Sequence, residues 1–221
     1  MAETAQPPAG LTREAEEAGF YHEAALNASW TGARLALGSL SFGFGAFVFA
    51  YFYLRSLNSH DDWHPAGFTN PQAWVGIVVM LLIVVGALVQ AGALQRIKAG
   101  HKRVWQRGAL LALALGLAAI AIQLWQLTDL PFFPGAAGYA SVFVGFQPVF
   151  VFVVFAVMVW LETLIMRSRP IPEMAFVEQP PTYVEAFAVQ RFQAALSAFT
   201  VVFNYMAVIA VLAWVLFYLV H

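Results

Sequence analysis

Apolar residues gather in this chain into five long runs, at about 35–54, 74–94, 108–128, 139–166 and 196–220, with shorter polar stretches between them. Crossing a hydrocarbon core about 30 Å thick takes about 20 helical residues, and each run is long enough. The runs lack the polar–apolar alternation of a membrane β-barrel strand. A helix satisfies its own backbone groups, as lipid demands. The pattern therefore predicts an all-α membrane protein with a five-transmembrane-helix bundle over 33–221. An N-terminal segment, 1–32, precedes it and is expected to hold a short helix near 12–25.

Composition agrees and narrows the chemistry. Of the 221 residues, 61% are hydrophobic and 10% charged, against about 25% charged in soluble domains. A net charge of −1 points to no nucleic-acid partner. The absence of cysteine excludes cysteine-held iron–sulfur clusters, covalent c-type haem and thiolate copper. The histidines, His22, His60, His64, His101 and His221, all fall outside the runs. No imidazole is therefore placed to hold haem or copper within the membrane, and no cofactor is expected in this chain. Glu3, Glu14, Glu16, Glu17 and Glu23 crowd the N-terminal segment, so a cleavable signal peptide is not expected.

Basic residues set the expected orientation. Arg13, Arg34, Arg96, Lys98, Lys102, Arg103, Arg107, Arg167, Arg169 and Arg191 fall on one side of the five crossings, and Arg55 alone on the other. By the positive-inside rule the N-terminus is expected in the cytoplasm and the C-terminus outside, in a bacterial cytoplasmic membrane. Trp30, Trp74, Trp105, Trp125, Trp160 and Trp214 lie near run ends, where interfacial anchors belong. On a cytoplasmic tail the Asn27-Ala28-Ser29 acceptor motif is chance, with Ser29 a candidate cap for the first span. The short link 129–138 predicts antiparallel packing of the third and fourth spans. Thr182 and Glu185 form a capping box that would start a helix leading into the last span.

Few polar residues remain inside the runs. Glu162 is the sole carboxylate, near the inner end of the fourth; pairing with Arg167 or with a partner's base is weighed there against proton carriage or a lipid-headgroup site. Gln123, Gln126, Gln147 and Asn204 are read as interhelical hydrogen-bonding groups. Gly38, Ser39, Ser41, Gly43 and Gly45 provide small residues for close helix packing in the first span. Arg96, Lys98, Lys102 and Arg103 are placed to meet a lipid phosphate, or serve as the topology signal alone. His60-Asp61-Asp62 with His64 is a weak ion-site candidate. No nucleophile–base set, phosphate loop or paired intramembrane carboxylate appears, so the chain carries no catalytic constellation of its own.

The first run, LALGSLSFGFGAFVFAYFY, resembles the third helix of cytochrome c oxidase subunit III, with Ser39, Phe44 and Ala50-Tyr51-Phe52 in matching places. Gly116 with Gln123-Leu-Trp-Gln126, and Gly138-Tyr139-Ala-Ser141-Val-Phe143, are similar to later segments of that family. The chain departs from it where the family's glutamates fall at Leu40 and Gln126. It departs again where the H-G-x-H pattern meets Gln147-Pro148-Val149-Phe150, and where the last-helix motif reads Thr200-Val-Val-Phe-Asn204. The resemblance implies a short, five-helix, non-catalytic accessory subunit of a haem–copper terminal oxidase in the aerobic respiratory chain. Its partners would be the catalytic subunit I, subunit II and phospholipid, with haem and copper in the partner subunits. The alternatives are an accessory subunit of another respiratory complex, a nitric oxide reductase or quinol-oxidising assembly, or a small transporter or channel. The last needs Gln90, Gln123, Gln147 and Asn204 to converge.

Overall fold

The computed structural model describes residues 9–57, 62–177 and 183–220. Five helices carry the fold: α1 (Ala9–Ser56), α2 (Ala73–Lys98), α3 (Lys102–Thr128), α4 (Gly138–Ser168) and α5 (Tyr183–Trp214). A 3₁₀ turn, Glu173–Phe176, follows α4, and the chain finishes in a π-helical turn, Val215–Leu219. Among the described residues there is no strand. All five helices are long and apolar enough to cross a membrane.

Helices α2 and α3 form a tight antiparallel hairpin. Gly100, at φ +86°, makes the turn; its N–H donates to Ile97 O (3.0 Å) and that of His101 to Arg96 O (2.9 Å). This double closure stops α2 and satisfies its last carbonyls, and the left-handed backbone it requires suits glycine. Along the hairpin a Cβ on Gly108 would lie 2.8 Å from Ala93 Cβ, so the backbones nearly touch. Helix α4 packs on α3 as the short link predicts, with the Met158 thioether lying over Gly116. Helix α5 fits between α2 and α4: Phe203 meets Gly86 and Phe199 meets Trp160.

Helix α1 differs from the expectation. It is one continuous helix of 48 residues, about 72 Å long at 1.5 Å per residue, with no break near residue 33. Ser29 lies inside it and caps nothing. No proline occurs between residues 9 and 56, and the Ala- and Glu-rich start favours helix, so nothing stops it. Its packed positions, Trp30, Ala33, Leu37, Leu40, Phe44, Phe47 and Tyr51, recur at spacings of three and four, the seam by which one helix lies along another.

That seam holds α5, with α4 beside it. His22 meets Phe187 at 4.6 Å between ring centroids, Ser41 Oγ lies 2.9 Å from Tyr205 Oη, and Arg55 donates to Val220 O. In each pair the partners are 164 or 165 positions apart in sequence. A constant offset means that the first and last helices run parallel and in register over their shared length. The helix expected to lead into the last span is therefore the start of α5. Its proposed cap, Thr182, lies outside the described residues, as does the Glu185 side chain.

Candidate functional site

The bundle has a basic end, at the turns α2–α3 and α4–α5, and a distal end whose charged side chains among the described residues are Arg55, Asp62 and Asp129. At the distal end residues 62–72 fold back over the helices. Asp62 and Trp63 carbonyls accept the N–H groups of Gly138 (3.0 Å) and Tyr139 (3.4 Å). A Cβ on Gly138 would lie 2.9 Å from the Trp63 ring. Trp63 stands edge-on to Tyr51 and Tyr139, at 4.8 and 6.0 Å. Phe143, Phe217, Phe132 and Phe68 complete an aromatic plug around Tyr139. His64 belongs to this plug, stacked obliquely on Tyr139, and its Nε2 lies 2.8 Å from Asn70 Oδ1. His60 and Asp61 lie outside the described residues. Among the described residues no three metal-ligating side chains gather.

The plug also finishes α5. Carbonyls at a helix C-terminus have no intrahelical donor, and here side chains supply them. Tyr139 Oη donates to Phe217 O at 2.8 Å, Tyr51 Oη to Val220 O at 3.3 Å, and Arg55 to the same oxygen. Sequence reasoning passed over these tyrosines. The signal was available, since Tyr51 and Tyr139 both lie near run ends, but the carbonyls they reach, at 220 and 217, are not local to them in sequence.

The amides divide into two kinds. Gln123 Nε2 donates to Gln126 Oε1 at 2.8 Å. Gln126 Nε2 reaches Gln72 O at 3.3 Å and Tyr218 Oη at 3.2 Å. These contacts tie α3 to the start of α2 and the end of α5. Gln147 on α4 joins Gln123 and Tyr218 around a cavity of about 20 Å³, room for about one water molecule. Gln90 is sealed within the bundle, and neither of its amide atoms has a partner among the described residues. Asn204 is exposed on the outside of α5. The four residues that a transporter would need do not line one passage.

At the basic end the four expected lipid-phosphate ligands separate. Lys102 is only 8% exposed. Its Nζ donates to Arg169 O at 3.3 Å and to Ile171 O, so it straps the end of α4 instead of facing a headgroup. Arg103 pairs with Glu173 of the 3₁₀ turn at 3.0 Å. Arg96 and Lys98 remain exposed. Trp105, expected as an interfacial anchor, is fully buried against Phe192, 5.4 Å away; Trp74 and Trp125 do pair on the outside, at 6.0 Å.

Of the five spans the first is the least covered: 11% of its most apolar stretch is buried, against 28–44% in the others. Gly38, Gly43 and Gly45 have nothing of this chain within 4 Å of where a Cβ would be, so they mediate no close packing within the chain. Ser39 is exposed too, and of this set Ser41 alone touches another helix. Phe42 and Phe49 project from α1, 83% and 69% exposed. An open apolar groove of about 500 Å³ runs between α1 and α5, lined by Phe44, Phe52, Val208, Leu212 and Leu216. Glu162 is exposed on α4.

No family model matches the chain, and no curated protein matches it at a significant level.

Proposed function

We propose that this chain is a non-catalytic accessory subunit of a haem–copper terminal oxidase, similar to subunit III, whose catalytic subunit lies against its bare outer faces. The observation that carries the reading is α1. A helix spends its apolar seam on α5 and leaves an opposite apolar face, with Phe42, Phe49 and open glycines, to be covered by something else. Small residues on such a face let another helix backbone approach closely. The identity of the complex comes from the resemblance in the first run. The groove between α1 and α5 supports a lipid-holding role, because its lining is almost wholly apolar. The orientation in this reading has the basic end in the cytoplasm.

A solitary transporter draws no such support, since Gln90 is sealed, Asn204 faces outward, and Gln123 and Gln147 share a cavity the size of one water. The test is native electrophoresis of gently solubilised membranes. The chain is expected to co-migrate with a protein that has a haem absorption band. Migration as a lone monomer, with no haem-bearing neighbour, overturns the proposal.

A further inference from the structure

Helix α4 presents a second seam that its own chain does not use. Pro148, Phe152, Phe155, Val159, Glu162 and Met166 recur at spacings of four, three, four, three and four, and all are exposed. Four of them, Phe152, Phe155, Val159 and Met166, are large apolar side chains 70, 49, 45 and 46% exposed. The three–four spacing is the one by which α1 lies along α5, and by which helices in general pack lengthwise.

Glu162 interrupts this seam with a carboxylate. It stands six residues before the end of α4, about 9 Å along the axis from Ser168. Among the described residues no base pairs with it; Arg167, the neighbour that sequence reasoning offered, is five positions on and makes no ion pair. A carboxylate on an outward membrane face is costly unless a cation answers it. An apolar seam with one acidic position complements a helix that is apolar with one basic position.

We infer that α4 docks a partner's transmembrane helix along Phe152–Met166, with a Lys or Arg of that helix opposite Glu162. The docking rests on the reading of this chain as a subunit, though not on the partner's being an oxidase. The seam supplies area and register. The ion pair selects among helices, because a partner without the base leaves Glu162 desolvated and unanswered.

Photo-cross-linking in the native membrane tests it. The full chain carries p-benzoylphenylalanine in place of Val159, with Phe155 as a second site if the first variant accumulates poorly. Yields are normalised to the amount of inserted chain. The expected product is a single transmembrane peptide with a Lys or Arg within one turn of the cross-link. Glu162→Gln is expected to lower the yield about tenfold or more. Glu162→Arg is expected to abolish it, and reversal of the partner's base to Glu should restore it. Cross-links to lipid alone, to a helix without a base, or unchanged by Glu162→Gln each overturn the inference. A basic partner helix on a haem-free protein would keep the docking and remove the oxidase reading. Co-migration with haem but no cross-link at α4 would do the reverse.

Discussion

Replacing Lys102 with Met separates a structural strap from a lipid ligand. Methionine keeps an unbranched apolar stem in the space now filled by the lysine chain, so packing is largely conserved and the ammonium is what is lost. Two carbonyls at the end of α4, of Arg169 and Ile171, then lose their donor. A hydrogen bond to a charged group contributes about 1.5–3 kcal/mol, and a cation at a helix C-terminus adds about 0.3–1 kcal/mol. The two contacts share one ammonium, and water can reach the loop when the strap is gone. The expected loss is therefore about 2 kcal/mol, roughly 30-fold in the folding equilibrium. Unfolding by sodium dodecyl sulfate in mixed micelles, followed by far-ultraviolet circular dichroism, measures it. Arg96→Gln and Lys98→Gln serve as controls; both side chains are exposed, and each should shift stability by less than about 0.5 kcal/mol. Mass spectrometry of co-purified lipid gives the second readout. Unchanged stability with a loss of bound anionic lipid in Lys102→Met would refute the strap and restore the headgroup role.

Tyr139→Phe retains the ring but orphans Phe217 O; a loss of about 1–2 kcal/mol is expected in the same assay, and Tyr139→Ala should cost about 3–5 kcal/mol through the emptied plug. Unchanged stability in Tyr139→Phe would show that the hydroxyl contributes nothing. Gly116→Ala drives a Cβ into the Met158 thioether and should destabilise by about 1–3 kcal/mol, a penalty that should vanish when the same change is made in a Met158→Ala background. Gly43→Ala meets open space and should stabilise the isolated chain by about 0.5–1 kcal/mol, while weakening any complex formed on that face. Gln126→Leu leaves the Gln123 amide and the Tyr218 hydroxyl without their partner, for a loss of about 1–3 kcal/mol.

The five crossings were legible because length and apolarity are local properties, and so was the α3–α4 neighbour pair, forced by a short link. The uses of individual residues were not. Small residues at four-residue spacing in the first run, Ser39 with Gly43 and Ser41 with Gly45, promised close packing, yet tight contacts at glycine fall in the third run, at Gly108 against Ala93 and at Gly116 under the Met158 side chain. A missing Cβ is visible in sequence, but the neighbour that fills its space comes from another helix. Lys102 sits among basic residues and reads like them. Only the return of the chain at 169–171 gives its ammonium two acceptors. The length of α1 could have been foreseen, since Trp30 and Ala33 continue the spacing of Leu37, Leu40 and Phe44 beyond the apolar run. That spacing was masked by the change from apolar to polar surroundings.

The parallel register of α1 and α5 sets an order on biogenesis. The ribosome makes α1 before the other described helices, and its main partner, α5, after them. Until residues beyond Tyr205 have entered the bilayer, α1 has from its own chain only the contacts of Phe44 and Phe47 with α4, and the rest of its seam must rest on lipid or on an insertion factor. The α2–α3 hairpin, by contrast, can close as soon as Thr128 emerges. Assembly of the bundle is thus expected to finish by clasping α5 onto α1. The outward face of α1 reaches its final orientation, and becomes available to another subunit, only once α5 has been made and packed.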